Sequence, residues 1–303
     1  PVFKAIMQQV LKHYRVPPST TKSRDIPSGP FGEVEKRNRA LAQQLGLEYS
    51  GADISLTGVS LSASEVEPGD LFVAVAGARH HGLDFASEAI QRGAAAVLAD
   101  KAVELEVPVL VHPAPKTVLG EVCEGILGDV GLHLFGVTGT NGKTSVSSYL
   151  RELLTAQGVK TALSSSVGFS SPTGNFPASL TTPELTTLRK HLHKFASEGG
   201  QAAVIEVSAQ ALTRNRVDGL KFDVVGFTNL TRDHLDDYGD MQTYFAAKAE
   251  LFSAERAKRG VVFLGDDYAK QLAAAHQYRL PQLAKMAMYG MSFKAVCSAY
   301  RVH

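Results

Sequence analysis

Cysteine is scarce in this 303-residue chain. Cys123 and Cys297 lie far apart and fit no metal-ligand spacing, which excludes a disulfide framework and a thiolate metal site and predicts free thiols of a cytoplasmic protein. Long apolar runs are also missing. None approaches the roughly 20 residues of a membrane span, and the N-terminus lacks the unbroken apolar core of a signal peptide, so neither a membrane nor a secreted protein is expected. Internal repeats and long low-complexity stretches do not occur. What is present is an ordinary globular composition, 44% apolar and 20% charged. A folded chain of this length buries roughly three quarters of its unfolded surface and needs no staple to be stable. The length suggests two domains.

Net charge is low as well, +1 overall, but it is unevenly placed. Residues 1–45 hold eight Lys/Arg (Lys4, Lys12, Arg15, Lys22, Arg24, Lys36, Arg37, Arg39) against three acids, a local +5 that leaves −4 for the rest. A basic tail can mean nucleic acid. This one has no base-stacking aromatic pattern and is broken by Pro17, Pro18, Pro27 and Pro30. It reads as a solvated extension with one helix, Glu33 to Leu45, closed by Gly46.

A compact block starts near Asp53. Its expected elements are a strand at Leu71–Ala76 after the Glu67-Pro-Gly-Asp70 turn, a helix at Phe85–Arg92 and a strand at Ala95–Ala99. A larger block begins near Gly131, with strands expected at Leu132–Val137, Ala202–Val207, Phe222–Thr228 and Val261–Leu264. Helices are expected between them near Thr144–Gln157, Pro183–Ser197 and Gln242–Arg256. Strands apolar on both faces and separated by helices predict an α/β fold with a mostly parallel sheet, whose ligands sit at the strands' carboxyl ends.

The strongest chemistry is Gly136-Val-Thr138-Gly139-Thr140-Asn141-Gly142-Lys143-Thr144-Ser145, which leaves an expected strand and opens an expected helix. Glycines turn backbone N–H groups onto phosphate oxygens, the lysine reaches the outer phosphates, and the threonine hydroxyl suits Mg²⁺. The spacing departs from the general pattern, because the first glycine falls at Gly136 or Gly139 instead of position 137. Glu206 ends an expected buried strand, where a carboxylate needs a metal or a cation, a paired lysine being the plain alternative. Asp233, His234 and Asp236 follow another strand and suit metal, phosphate or simply a capped helix start.

Taken together, Thr138-Gly-Thr-Asn-Gly-Lys-Thr144, Glu206-Val-Ser208, Thr228-Asn-Leu230 with Asp233-His-Leu-Asp236, and Tyr244-Phe-Ala-Ala-Lys248 resemble the Mur ligases, the ATP-dependent amide-forming enzymes of peptidoglycan precursor synthesis. Leu180-Thr-Thr-Pro183 and Pro68-Gly-Asp-Leu-Phe-Val-Ala-Val75 look most like the MurE branch, which adds the third amino acid, L-lysine or meso-diaminopimelate, to UDP-MurNAc-L-Ala-D-Glu. The resemblance implies an N-terminal UDP-substrate domain over residues 46–130 and a P-loop ATPase-like central domain over 131–303. It implies ATP and Mg²⁺ as cofactors and a monomer. It also implies a reaction in which a substrate carboxylate is phosphorylated and an amine displaces the phosphate. ATP would lie on residues 138–145. Lys143 would be catalytic, Thr144 and Glu206 would hold one Mg²⁺, and His234 would help with a second. Lys248 matches a carbamylated lysine, although from the residues alone it reads as a surface lysine on an alanine-rich helix. Thr181, Thr182, Ser208, Arg214 and Arg216 match substrate-binding positions.

The chain departs from that pattern at Ser62-Ala63-Ser64, where Asp-Ser-Arg is usual and its serine helps bind uridine, and at Ala209-Gln210, where Ser-His is usual. Arg214 replaces a frequent glutamine. It ends at His303, before the C-terminal domain expected of the family, so the central sheet is expected to be unfinished and the piece alone inactive. A non-catalytic protein that binds the nucleotide or UDP-precursor, or a relative of folylpolyglutamate synthase, are the other readings. The phosphate-loop assignment predicts that Lys143→Ala lowers MgATP affinity several-fold or more by calorimetry, and unchanged affinity refutes it.

Overall fold

The computed structural model describes residues 37–276, apart from 78, 79 and 179, and the backbone of one further strand at Leu283–Met286. The extension through residue 36, including the helix start expected at Glu33, lies outside the described residues, as does Cys297. The described part of that helix is α1, Asn38–Leu45. Gly46 closes it with φ 63° and an N–H donated to the Ala42 carbonyl, as the sequence predicts.

The first block contains β1 (Glu48–Ser50), β2 (Gly58–Ser60), β3 (Asp70–Val73), α2 (Ala86–Gln91), β4 (Ala96–Ala99), β5 (Val109–Val111) and α3 (Leu119–Leu127). Its strands run β1-β5-β4-β3-β2 across the sheet, parallel except where β1 meets β5. The expected strand at Leu71–Ala76 leaves the sheet at Val73, because the chain folds back and Gly82 donates its N–H to the Val75 carbonyl. The helix expected from Phe85 begins at Ala86 after a single 3₁₀ turn whose Leu83 N–H is capped by the His81 ring.

The second block contains β6 (His133–Thr138), α4 (Lys143–Ala156), β7 (Thr161–Ser165), β8 (Gly168–Ser171), β9 (Gly174–Pro177), α5 (Leu185–Ser197), β10 (Ala202–Glu206), α6 (Ala209–Thr213), β11 (Val224–Phe227), α7 (Leu235–Tyr238), α8 (Met241–Ala249), β12 (Gly260–Phe263), α9 (Asp267–His276) and β13 (Leu283–Met286). The sheet order is β13-β12-β11-β6-β10-β7-β8-β9, parallel as far as β7 and antiparallel through the β8–β9 hairpin. The four expected strands are there, and the sheet extends beyond them on both sides. The helix expected to reach Arg256 stops at Ala249 and tightens into a 3₁₀ turn, Glu250–Phe252.

Successive residues of β10 face opposite cores. Ala202 and Val204 pack with Leu150 and Leu154 of α4. Ala203 and Ile205 pack with Leu188 and Leu192 of α5. A strand buried on both sides reads as one apolar run, which is why the sequence exposes it. The N-terminal sheet has its own core around Val59, Leu71 and Leu119, and α5 lends it Leu185.

Asp223, just before β11, ties three strands together at the edge opposite the phosphate loop. It accepts hydrogen bonds from the Leu134 amide (3.1 Å), His133 (3.3 Å) and Lys258 (2.8 Å). Burial alone would raise its pKa, but the His133 and Lys258 contacts outweigh burial and hold it at about 2. Because this lies below the roughly 3.9 of an unfolded Asp, the ionised clamp stabilises the fold above pH 4 and is lost as pH falls towards 2. Asp223→Asn should therefore cost about 2 kcal/mol at pH 7 by urea unfolding, with the gap to the parent closing between pH 4 and 2. A gap that stays constant over that range would show that the charge is not responsible.

Candidate functional site

The order of strands reverses at β6, which lies between β10 and β11. The carboxyl ends of these three strands therefore open a crevice, and the segments leaving them meet in it. From β6 comes the glycine loop, from β10 Glu206, and from β11 the polar run Thr228–Asp236.

The loop turns at Gly139, with φ 139°, and at Gly142, with φ 81°, directly before α4. An added Cβ at Gly139 would fall 2.0 Å from the Thr228 hydroxyl, so only glycine fits. Gly136 stays inside β6 against Phe222, so the turn is Gly139 to Gly142 and is shorter than the general motif. The turn is stitched to the segment after β11. The Thr140 and Asn141 amides donate to the Asn229 carbonyl (2.9 Å) and side-chain oxygen (3.1 Å). The Thr228 hydroxyl donates to the Asn141 carbonyl (2.8 Å), and the Thr231 amide donates to the Thr140 hydroxyl (3.0 Å). Asp266 supports that segment from α9's side by accepting from the Leu230 amide at 3.0 Å.

Inside the loop, Lys143 Nζ donates to the carbonyls of Gly139 (3.0 Å) and Thr140 (2.8 Å). Burial lowers its pKa, while Glu206 and Asp233 push the other way. Glu206 is 1% exposed. Its Oε2 accepts the Thr144 hydroxyl at 3.2 Å, and its Oε1 is buried with no hydrogen-bond partner. Burial raises its pKa against the opposing pull of Thr144, Lys143 and the Ser166 amide. Among the described residues no lysine or arginine comes within ion-pair distance of it, although Lys143 is near enough to act on its charge. Thr138 is buried in β6, whereas Ser145 is exposed in the first turn of α4.

Lys248 corrects the reading of a surface lysine. It is 1% exposed, donates Nζ to the Gly139 carbonyl at 2.9 Å and lies over the Tyr244 ring 4.5 Å from its centre. Burial, followed by repulsion from Lys143, brings its pKa down to about 7, with Asp233 opposing. His234 sits at the exposed lip in the left-handed region (φ 51°), 3.6 Å from Asp233 and edge-on to Tyr244. Its side chain makes no cap bond to α7, so capping does not explain it. Asp236 is exposed. No cluster of three metal-ligating His, Cys, Asp or Glu side chains forms among the described residues.

The positions matched to substrate divide into two kinds. Thr182 is fully buried. Its hydroxyl donates to the Glu206 carbonyl (2.7 Å) and accepts from the Ser208 amide (3.2 Å). Arg216, 6% exposed, donates to Glu184 at 2.8 Å and reaches the Thr182 carbonyl at 3.5 Å. Both hold the loop that carries Thr181. Ser208 caps α6 on the Ala211 amide (3.0 Å). Arg214 is open to solvent, 3.8 Å from Asp237. A cavity of about 280 Å³ lies between the blocks, with Leu61, Ser62 and Glu65 on one wall and Phe176, Thr187 and His191 on the other. Ser62 faces it and shares a 2.8 Å hydrogen bond with Ser64, whereas Ser60 is buried. The sequence does not single out Asp266, and it places Tyr244 in the motif ending at Lys248 without a role. Asp266 looks like any helix-capping acid, but Tyr244 and Lys248 are four apart on one helix and so share a face.

Residues 137–296 match the Mur ligase middle domain, and residues 55–124 match the model described as Mur ligase family, catalytic domain. The chain is 46% identical over 255 residues to a UDP-N-acetylmuramyl-tripeptide synthetase of Leifsonia xyli subsp. xyli, covering 80% of this chain and 49% of that one. It is 38% identical over 245 residues to a UDP-N-acetylmuramoyl-L-alanyl-D-glutamate–2,6-diaminopimelate ligase of Xanthomonas campestris pv. campestris, covering 79% and 50%. A solved structure of a ligase with that same activity in its name superposes with a TM-score of 0.66 at 29% identity over 77% of this chain and 48% of the other. The chain thus spans about half the length of the curated relatives it matches. No helix among the described residues is long and apolar enough to cross a membrane. The sequence matches and the shared architecture agree, and the chain belongs to the Mur ligase family.

Proposed function

We propose that the chain forms the nucleotide and UDP-precursor sites of an ATP-dependent amide ligase that adds the third amino acid to UDP-MurNAc-L-Ala-D-Glu in the cytoplasm. The observation that carries this reading is the Glu206 carboxylate under the phosphate loop, with one oxygen on the Thr144 hydroxyl and the other bonded to nothing. A buried anion left half-satisfied is costly, and a divalent cation relieves that cost. The residues present therefore fit Mg²⁺, held by Thr144 and Glu206, and ATP on Thr138 to Ser145. Mg²⁺ there would offset the repulsion between the triphosphate and the substrate carboxylate.

The rest falls to the chain's own side chains. Lys143, now folded onto loop carbonyls, is the cation that turns to the outer phosphates. Thr181, Ser208 and Arg214 contact the precursor, while Thr182 and Arg216 keep their loop in place. His234, at the open lip, would help hold a second Mg²⁺ near the substrate carboxylate. Lys248 has the property that carbamate formation needs: an amine neutral near pH 7 attacks carbon dioxide, loses one proton and becomes an anionic ligand. The same burial that lowers its pKa makes it nucleophilic.

In a full-length protein containing this chain, ADP release should require UDP-MurNAc-L-Ala-D-Glu together with either meso-diaminopimelate or L-lysine, and Glu206→Gln should lower kcat by about a hundredfold or more. Release independent of the precursor overturns the reading. For Lys248, ¹³C-bicarbonate at pH 8.5 should produce a carbamate NMR signal that is absent in Lys248→Met. Because the folded-state pKa is depressed, the signal should fade as pH drops through 7 and the amine becomes ammonium. No signal at pH 8.5 would rule the modification out.

A further inference from the structure

Neighbouring cations on α5 reach the N-terminal block from two sides. Arg189 is 1% exposed, yet its guanidinium donates to Glu124 (3.0 Å) and the Gly128 carbonyl (3.1 Å) of that block, and to the Gly219 carbonyl (2.9 Å) of its own. The approach is close: a Cβ at Gly219 would lie 2.9 Å from the guanidinium. About 100° further round the helix, Lys190 donates to the buried Asp70 carboxylate at 2.7 Å and to the Glu65 carbonyl at 3.3 Å. Thr187, one turn earlier, donates to the Glu65 carboxylate at 3.1 Å. Leu185, at the start of α5, is packed in the N-terminal core.

Ion pairs with one buried partner contribute little net stability, because desolvation cancels most of the attraction, but breaking one leaves a buried charge uncompensated, so each favours the arrangement that keeps it paired. On the Lys190 side these contacts border the inter-block cavity, which Glu65 and Thr187 both line, while Arg189 and Glu124 hold the two blocks together along a separate groove. We propose that Arg189 and Lys190 are positioning residues, a two-sided clasp that sets the angle between the N-terminal and central sheets and with it the width of the cavity available to the precursor's uridine diphosphate. The identity of that ligand rests on the proposed function, whereas the clasp does not.

The test uses the whole chain with spin labels at Glu104→Cys and Gln157→Cys, both exposed and one in each block. Cys297 is replaced by Ser, and Cys123 is buried with its thiol pushed up to about 12, so it will not take a label. Pulsed electron–electron resonance should show one narrow distance in the parent. Lys190→Met and Arg189→Met should broaden or shift it, lower UDP affinity about tenfold by calorimetry and leave MgADP affinity within about twofold. Lys190→Arg should restore both readings. Lys190, partly exposed, provides a variant that folds even if Arg189→Met does not. Unchanged distances in the double variant overturn the clasp, and changed distances with unchanged UDP affinity overturn its link to the ligand. A parent that binds no UDP refutes the precursor reading and the ligand half of this proposal, while the distances still decide the clasp.

Discussion

The site depends on the stitching between the glycine loop and the segment after β11. A phosphate loop is a short stretch of backbone whose N–H groups must point inwards, and nothing in a loop alone keeps them there. Here the Asn229 side chain and carbonyl, the Thr228 hydroxyl and the Thr140–Thr231 pair hold it from one side. Lys248 holds it from below. The bonds cross from the end of β6 to the end of β11, adjacent strands in the sheet, so the parallel order of the sheet is what brings the loop and its support together. Glu206 arrives from the strand on the other side, β10, and completes the crevice.

The legible parts of this molecule were those in which one physical demand fills consecutive residues. Strands β6, β10, β11 and β12 are buried on both faces, so burial writes an unbroken apolar run. The phosphate loop is legible because phosphate contact needs glycine and lysine in sequence. Strand β7 was not found, because Thr161, Ser164 and Ser165 are polar although buried. Strands β1, β2 and β5, at three residues each, are too short for a period to register. The resemblance picked out Lys248, but its burial was invisible: the i, i+4 spacing places the Tyr244 ring on its face, whereas nothing local signals the carbonyl it meets 109 residues away.

Helix α5 shows how two packed blocks behave as one. Its apolar face belongs to the central core through Leu188 and Leu192, its first residue to the N-terminal core, and its charged residues to the contacts between them. The loop before it, held by Thr182 to the Glu206 carbonyl, joins the crevice directly to that helix. The end of β10 is therefore joined to the inter-block cavity through about ten residues of continuous chain.

The Gly139 carbonyl receives Lys143 at 3.0 Å and Lys248 at 2.9 Å. A carbonyl oxygen has two lone pairs, and both are taken by amines that repel each other. If Lys143 swings out towards an anion, the oxygen keeps a single donor and the repulsion on Lys248 falls. The proton on one lysine is thereby tied to the position of the other.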